Sequence, residues 1–170
     1  ALCVALASVA ATGPVRTPAP IIGILSQPTY DDLTQLGRGD QYVNAAYVKW
    51  LESAGSRVVA IPYTSSPKQL DAFFASLNGI VFPGGNTALN GTQYAKAAGY
   101  LFELAKKAND VGDVFPIHGT CLGFQLLHVL VNGGDVGSTL SAFDAHDISL
   151  PMAFTADAMA ATGTTGEVGA

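Results

Sequence analysis

Charge is scarce in this sequence: Asp, Glu, Lys and Arg make up 12% of its 170 residues, against 49% hydrophobic. That balance is globular and excludes a chain that stays unfolded. Basic residues are scarcer still, eight against thirteen acidic for a net charge of −5, and they form no cluster. Without a basic patch, nucleic acid is not an expected partner. Three scattered histidines and two cysteines lack the spacing of metal ligands, so no metal and no cofactor are expected. Beyond the first residues no apolar run is long enough to cross a bilayer, and no membrane partner is expected. The turn Pro83-Gly84-Gly85-Asn86 lacks the Lys-Ser/Thr that a phosphate loop requires.

What is present centres on Phe115-Pro116-Ile117-His118-Gly119-Thr120-Cys121-Leu122-Gly123-Phe124-Gln125. An apolar run ends in Gly-x-Cys-x-Gly and a helix-like apolar segment follows, the cysteine version of a nucleophile elbow. Gly119 and Gly123 leave room for the backbone to pass close to its neighbours. In such a turn the helix N-terminus sets positive partial charge beside the Cys121 sulfur. The Leu122 N–H then supplies half of an oxyanion hole. The turn Pro83–Asn86 ends another apolar run and offers the other half, best from the N–H of Gly85. A free cysteine of arbitrary context is most often a small buried hydrophobe. The flanking glycines and the strand-then-helix context favour the nucleophile here.

The first eleven residues, Ala1 to Ala11, are a short apolar run of small residues with a Pro-containing stretch behind it. Residues 1–17 read as the h-region and cleavage site of a secretory leader whose start is missing. A disordered or core N-terminus is the competing reading. If the leader is removed, Cys3 leaves with it, and Cys121 becomes an unpaired thiol in an oxidising compartment, which suggests reactivity. Asn90-Gly91-Thr92 is an N-glycosylation sequon usable on that route, although such triplets also arise by chance.

Between Pro20 and Val131 strands and helices alternate. Ile21–Leu25, Arg57–Pro62, Ile80–Phe82 and Val114–His118 read as strands, with Pro116 the weakness of the last. The polar stretch from Pro28 to Asp40 reads as a loop at the first strand's C-terminal end, where open α/β sheets carry their ligand crevice. Val43, Tyr47, Trp50, Leu51 and Ala54 share one helical face, ended by Gly55. Ser66-Pro67 opens a second helix with Leu70, Phe73, Phe74 and Leu77 inward. A third is expected over Gln93–Ala108, and the helix after Cys121 is apolar nearly all round and expected to be buried. Such alternation predicts right-handed βαβ units and a parallel sheet covered on both faces. Val136–Leu140 and Ile148–Phe154 could be strands; the tail from Ala156 has no periodicity.

Four stretches resemble the γ-glutamyl hydrolase family: Pro20–Leu25, Tyr47–Val59, Asn78–Gly85 and Gly119–Phe124, with Leu150–Thr155 resembling the family's next segment. They agree in order from about Pro20 to Phe154. The resemblance implies a class I glutamine amidotransferase-like fold, a three-layer α/β/α sandwich on a parallel sheet, incomplete at its C-terminal side over residues 18–170. It implies a secreted, lysosomal or vacuolar cysteine peptidase that cleaves γ-linked glutamates from folylpoly-γ-glutamates. Cys121 would be the nucleophile, Leu122 and Gly85 the oxyanion hole, and Tyr42, Gly84 and Gln125 the substrate contacts. Gln125 departs from the Glu the family would place there. The expected partner is that small-molecule substrate, with a homodimer as the candidate assembly.

A cysteine nucleophile needs a histidine to move protons and a carboxylate to orient it. The resemblance places both in a His-x-Glu-like segment downstream of where this sequence ends. His118 is expected to pack or bond to backbone, His128 to lie near a helix surface and His146 in a solvated loop, so none is assigned as base. Two readings compete: a glutamine amidotransferase domain feeding ammonia to a synthase, which the secretory-like leader opposes, and a non-catalytic remnant able at most to hold a glutamate tail.

Overall fold

The computed structural model describes residues 17–30, 37, 39–144, 148–149, 151 and 154–157. The leader-like stretch up to Arg16, and His146, lie outside them. The chain divides into two units, Ala1–Leu140 and Ser141–Ala170. In the second, Ala156 and Asp157 are helical and Phe143, Ile148 and Phe154 are exposed. The described residues of the span 148–154 form no strand there, while Leu150, Met152 and Ala153 lie outside the described residues.

The first unit is built on six short strands and five helices among its described residues. In chain order they are β1 (Ile21–Leu25), β2 (Gln27–Pro28), β3 (Gln41–Tyr42), α1 (Ala45–Ser53), β4 (Arg57–Ile61) and α2 (Pro67–Phe74). There follow β5 (Gly79–Phe82), α3 (Gln93–Asp110), β6 (Ile117–Gly119), α4 (Leu122–Val131) and α5 (Val136–Thr139). Four strands make a sheet in the order β4-β1-β5-β6, every neighbour parallel.

Alternate residues along these strands leave by opposite faces, and the two faces build two cores. Leu25, Ile61, Ile80 and Phe82 pack with Leu70 of α2, Leu101 of α3 and Leu126 of α4. Ile24 and Val81 pack on the other face with Leu51 of α1. The result is the expected α/β/α layering, α1 on one face and α2, α3 and α4 on the other. The caps anticipated for α2 are present: Gln69 Oε1 accepts from both the N–H and the hydroxyl of Ser66, each at 2.9 Å, ahead of Pro67.

Connectivity fixes where a site can form. From β1 the chain crosses by α1 to β4 on one side, then returns by α2 to β5 on the other side of β1. The order reverses between β1 and β5, and a crevice opens beyond the C-terminal ends of those strands. Gln27 follows β1 there and Pro83 follows β5. The expected loop at this edge is partly a hairpin, since β2 pairs antiparallel with β3 and the Thr29 N–H donates to Asp40 O at 3.0 Å.

Four expectations need correction. The last strand begins after Pro116, not at Val114, which is 81% exposed; the proline has no N–H for the ladder, and its carbonyl accepts from Ile80 N–H at 3.0 Å. Val136–Thr139 is a turn of helix, not a strand, because Asp135 caps it by accepting from the Gly137 N–H at 3.0 Å. On α1, Tyr47 and Leu51 face inward as expected, but Trp50 is exposed, as is Ala54 at the C-cap. Finally, α4 is not buried all round. Leu122, Gly123, Leu126 and Val129 are buried, yet Phe124 is 48% and Val131 74% exposed. With Leu127 and His128 they line an open concavity of about 590 Å³ that α5 helps to wall.

Candidate active site

Cys121 sits where the sequence places a nucleophile, between β6 and α4, as the N-cap of that helix. Its backbone, at φ 50° and ψ −111°, is the one positive-φ non-glycine conformation among the described residues. A side chain held there costs on the order of 1–3 kcal/mol and persists only where its surroundings over-determine it. They do. The Thr120 N–H donates to Phe82 O at 3.1 Å, Gly123 N–H to Thr120 O at 2.8 Å and Gln125 N–H to Cys121 O at 3.0 Å.

The flanking glycines make that fold-back possible. A Cβ on Gly119 would stand 2.5 Å from Gly123 O, and one on Gly123 would stand 1.9 Å from Phe82 O. The start of α4 therefore presses on the end of β5, and the thiol is left exposed at the sheet's C-terminal edge.

The turn after β5 lies against the nucleophile. A Cβ built on Gly84 would be 3.1 Å from Cys121 Cβ and 2.9 Å from the Tyr47 hydroxyl oxygen. That oxygen accepts the Gly84 N–H at 2.8 Å, so α1 holds the turn from one side. From the other side comes Gln27, buried at 1% exposure, whose Nε2 donates to Pro83 O at 3.1 Å. Its Oε1 accepts from the Tyr42 hydroxyl at 3.3 Å. Burial pushes the neighbouring Tyr94 phenol up to about 12, opposed by its bond with Gln27, so the ring stays neutral at physiological pH. The Tyr42 phenol is raised as well, first by burial and then by the adjacent Tyr30 and Tyr47.

Cys121, Leu122, Gly84, Gly85 and Tyr42 are thus gathered at one edge, Tyr42 turning its hydroxyl toward Gln27 and packing edge-on to Tyr30 at 5.9 Å. Gln125 is exposed one turn into α4. Asn90 is exposed on the bend before α3. His118 shares a 3.1 Å hydrogen bond between Nε2 and Thr120 Oγ1 and lies over Trp50, ring centroids 5.3 Å apart. It packs, one of the two fates expected of it, and its hydrogen bond goes to a side chain and not to backbone. His128 is exposed on α4, and its Nδ1 donates to Phe124 O at 3.2 Å. Among the described residues, no group of three or more His, Cys, Asp or Glu is placed to hold a metal ion.

Gln27 and Tyr47 are the two residues that sequence reasoning missed. The signal for Gln27 was a polar Ser26-Gln27 pair at the C-terminal end of an apolar strand; Tyr47 read as an ordinary core position.

Comparison with known proteins follows the same stretch of chain. A family model described as Peptidase C26 matches residues 20–148, well over half the chain. The gamma-glutamyl hydrolase of Homo sapiens is 43% identical over 136 residues, which cover 80% of this chain and 42% of that protein. Gamma-glutamyl hydrolase B of Dictyostelium discoideum is 38% identical over 137 residues, 79% of this chain and 38% of that protein. Gamma-glutamyl hydrolase 1 of Arabidopsis thaliana is 33% identical over 144 residues, again 79% and 38%. The chain thus spans about two fifths of the length of these relatives.

Proposed function

The chain belongs to the peptidase C26 family, and on that premise we propose that it carries the nucleophile half of a hydrolase acting on γ-glutamyl bonds of folylpoly-γ-glutamates. The observation that supports this most is the strained Cys121 at the head of α4 with the Pro83–Gly85 turn packed against it. In this reading the Cys121 sulfur attacks the γ-carbonyl carbon, an S–C bond forms, and the C–N bond to the leaving glutamate breaks as its nitrogen takes up a proton. Water then hydrolyses the thioester. The charge that develops on the carbonyl oxygen is met by the N–H groups of Leu122, the first residue of α4 and without an intrahelical acceptor, and of Gly85. Gly84, Tyr42 and Gln125 border the glutamate tail. The base is assigned to none of the described histidines, since His118 and His128 are engaged elsewhere.

The test is linkage. The full-length gene product should cleave a pteroyl γ-diglutamate and leave the α-linked isomer intact, with a preference in kcat/KM on the order of 100-fold or more, because a misplaced carbonyl loses the oriented attack. Equal cleavage of both isomers would remove the γ-glutamyl assignment. Ammonia release from glutamine in their place would favour an amidotransferase.

The same reading includes passage through the secretory route to the lysosome, vacuole or exterior. It rests on the composition of residues 1–11 and on the exposure of Asn90 in its sequon. A glycosidase-sensitive mass on the secreted product that disappears in Asn90→Gln is the expected result. An unglycosylated product retained in the cytosol would defeat it.

A further inference from the structure

A glutamine amide that is 1% exposed must spend its hydrogen-bonding groups inside the protein, because each one left unpaired costs about 1–3 kcal/mol. Gln27 spends them on the turn that faces the nucleophile. Nε2 donates to Pro83 O at 3.1 Å and, more weakly, to the Tyr94 hydroxyl at 3.5 Å, while Oε1 accepts a hydrogen bond from the Tyr42 hydroxyl at 3.3 Å. The fit is steric as well as polar. The amide occupies the space a side chain on Gly85 would need: a Cβ there would fall 1.7 Å from Oε1, 2.5 Å from Cδ and 2.8 Å from Nε2.

The backbone that carries Gln27 is itself anchored. Its β2 residues pair with β3, and the preceding Ser26 N–H donates to Ile61 O at 2.9 Å. On the far side of the turn, Gly84 is tied to Tyr47, and a Cβ on it would stand 3.1 Å from that of Cys121. The turn is therefore gripped between an amide and a phenol, and the three atoms nearest a Cβ on Gly85 all belong to the amide.

We infer that Gln27 is a positioning residue: its buried amide holds Pro83–Gly85 in register with Cys121, so that the Gly85 N–H is aimed at the oxygen of the carbonyl under attack. The inference rests on the γ-glutamyl hydrolase reading for its catalytic consequence, but its structural half stands without it.

Two variants test it on the full-length product. Gln27→Glu keeps the shape and, when ionised, sets a carboxylate against the Pro83 carbonyl; when protonated it regains a donor. Gln27→Met keeps the length and removes both polar groups. Hydrolysis of the γ-linked substrate should fall in kcat on the order of 10- to 100-fold in both, with KM within about twofold, as small displacements of a catalytic donor do. For Gln27→Glu the deficit should shrink as pH falls, because the protonated carboxyl donates again to Pro83 O; Gln27→Met should show no such recovery. Alkylation of Cys121 by iodoacetamide should match the wild type in both, since it uses the sulfur alone.

Backbone hydrogen exchange supplies the readout that needs no activity. The Gly84 amide should exchange on the order of ten times faster in both variants, while Ile80 and Val81 in β5 keep their wild-type rates. If the wild type fails to cleave the γ-linked substrate, the functional reading falls and exchange alone decides the inference. Unchanged Gly84 exchange, or a rise shared equally by Ile80 and Val81, would overturn it, the latter by showing that Gln27 merely supports the core.

Discussion

In the full-length product, Cys121→Ala is expected to abolish the γ-glutamyl hydrolysis proposed above, with a fall in kcat on the order of 10⁴-fold or more, as loss of a covalent nucleophile does. No other described side chain stands at the head of α4 with the Pro83–Gly85 turn against it, so nothing replaces the sulfur. Stability should separate from activity. Alanine keeps a Cβ at φ 50° and with it the strain of that conformation. Glycine does not, so Cys121→Gly should be as inactive as Cys121→Ala but more stable than it by about 1 kcal/mol, the scale of strain released when a left-handed position loses its side chain. Substrate turnover and thermal unfolding of the two variants side by side check this. Residual turnover above about 1% of wild type in either would remove Cys121 as nucleophile. Equal stabilities would show that the elbow stores no strain.

The elbow could be read from sequence because its geometry is local. Glycines two residues either side of Cys121 state directly that backbone must pass close by, and Gly119 and Gly123 do meet backbone. The strands β1 and β5 were legible for a related reason, since parallel strands buried on both faces are continuous apolar runs, and β4, at the sheet's edge, is apolar from Val58 to Ile61. The run from Val114 to Ile117 has the same composition, yet hydrogen bonding and not hydropathy sets where β6 begins. Composition also misled for α4. Apolar residues on every side say nothing about which stripe is covered, and the stripe of Phe124, Leu127, His128 and Val131 is left open.

Gln27 and Tyr47 were illegible because their roles are made by distance along the chain. The bond from Gln27 to Pro83 joins residues 56 apart, and that from Gly84 to Tyr47 joins residues 37 apart. Whether a polar side chain at a strand end is buried depends on the strand that returns beside it. Nothing in Ser26-Gln27 says that β5 will.

The close approach of α4 to β5 makes Gly123→Ala the substitution with the largest expected cost in stability. Two effects oppose each other. Alanine in place of glycine within a helix favours folding by about 1 kcal/mol. Against it, the new Cβ would meet Phe82 O at 1.9 Å and Phe82 C at 2.6 Å, both backbone atoms of a buried strand, which no rotamer change can clear. Overpacking of this kind costs about 1–3 kcal/mol and sometimes more, and a contact with fixed backbone belongs at the upper end. The clash wins, and a net loss of about 2 kcal/mol lowers the unfolding temperature by roughly 4–8 °C for a domain of this size. Gly99, in the middle of α3, supplies the opposite sign: a Cβ there meets only Leu130 Cδ2, at 3.4 Å, so Gly99→Ala keeps the propensity gain and should stabilise by up to about 1 kcal/mol. Because α4 carries Cys121 at its head and Phe82 O also receives the Thr120 N–H, displacing the helix should slow Cys121 alkylation in Gly123→Ala and leave it unchanged in Gly99→Ala. Denaturant unfolding of the two variants decides the matter. If both shift stability in the same direction, α4 does not lie on β5 as closely as the turn at Cys121 requires.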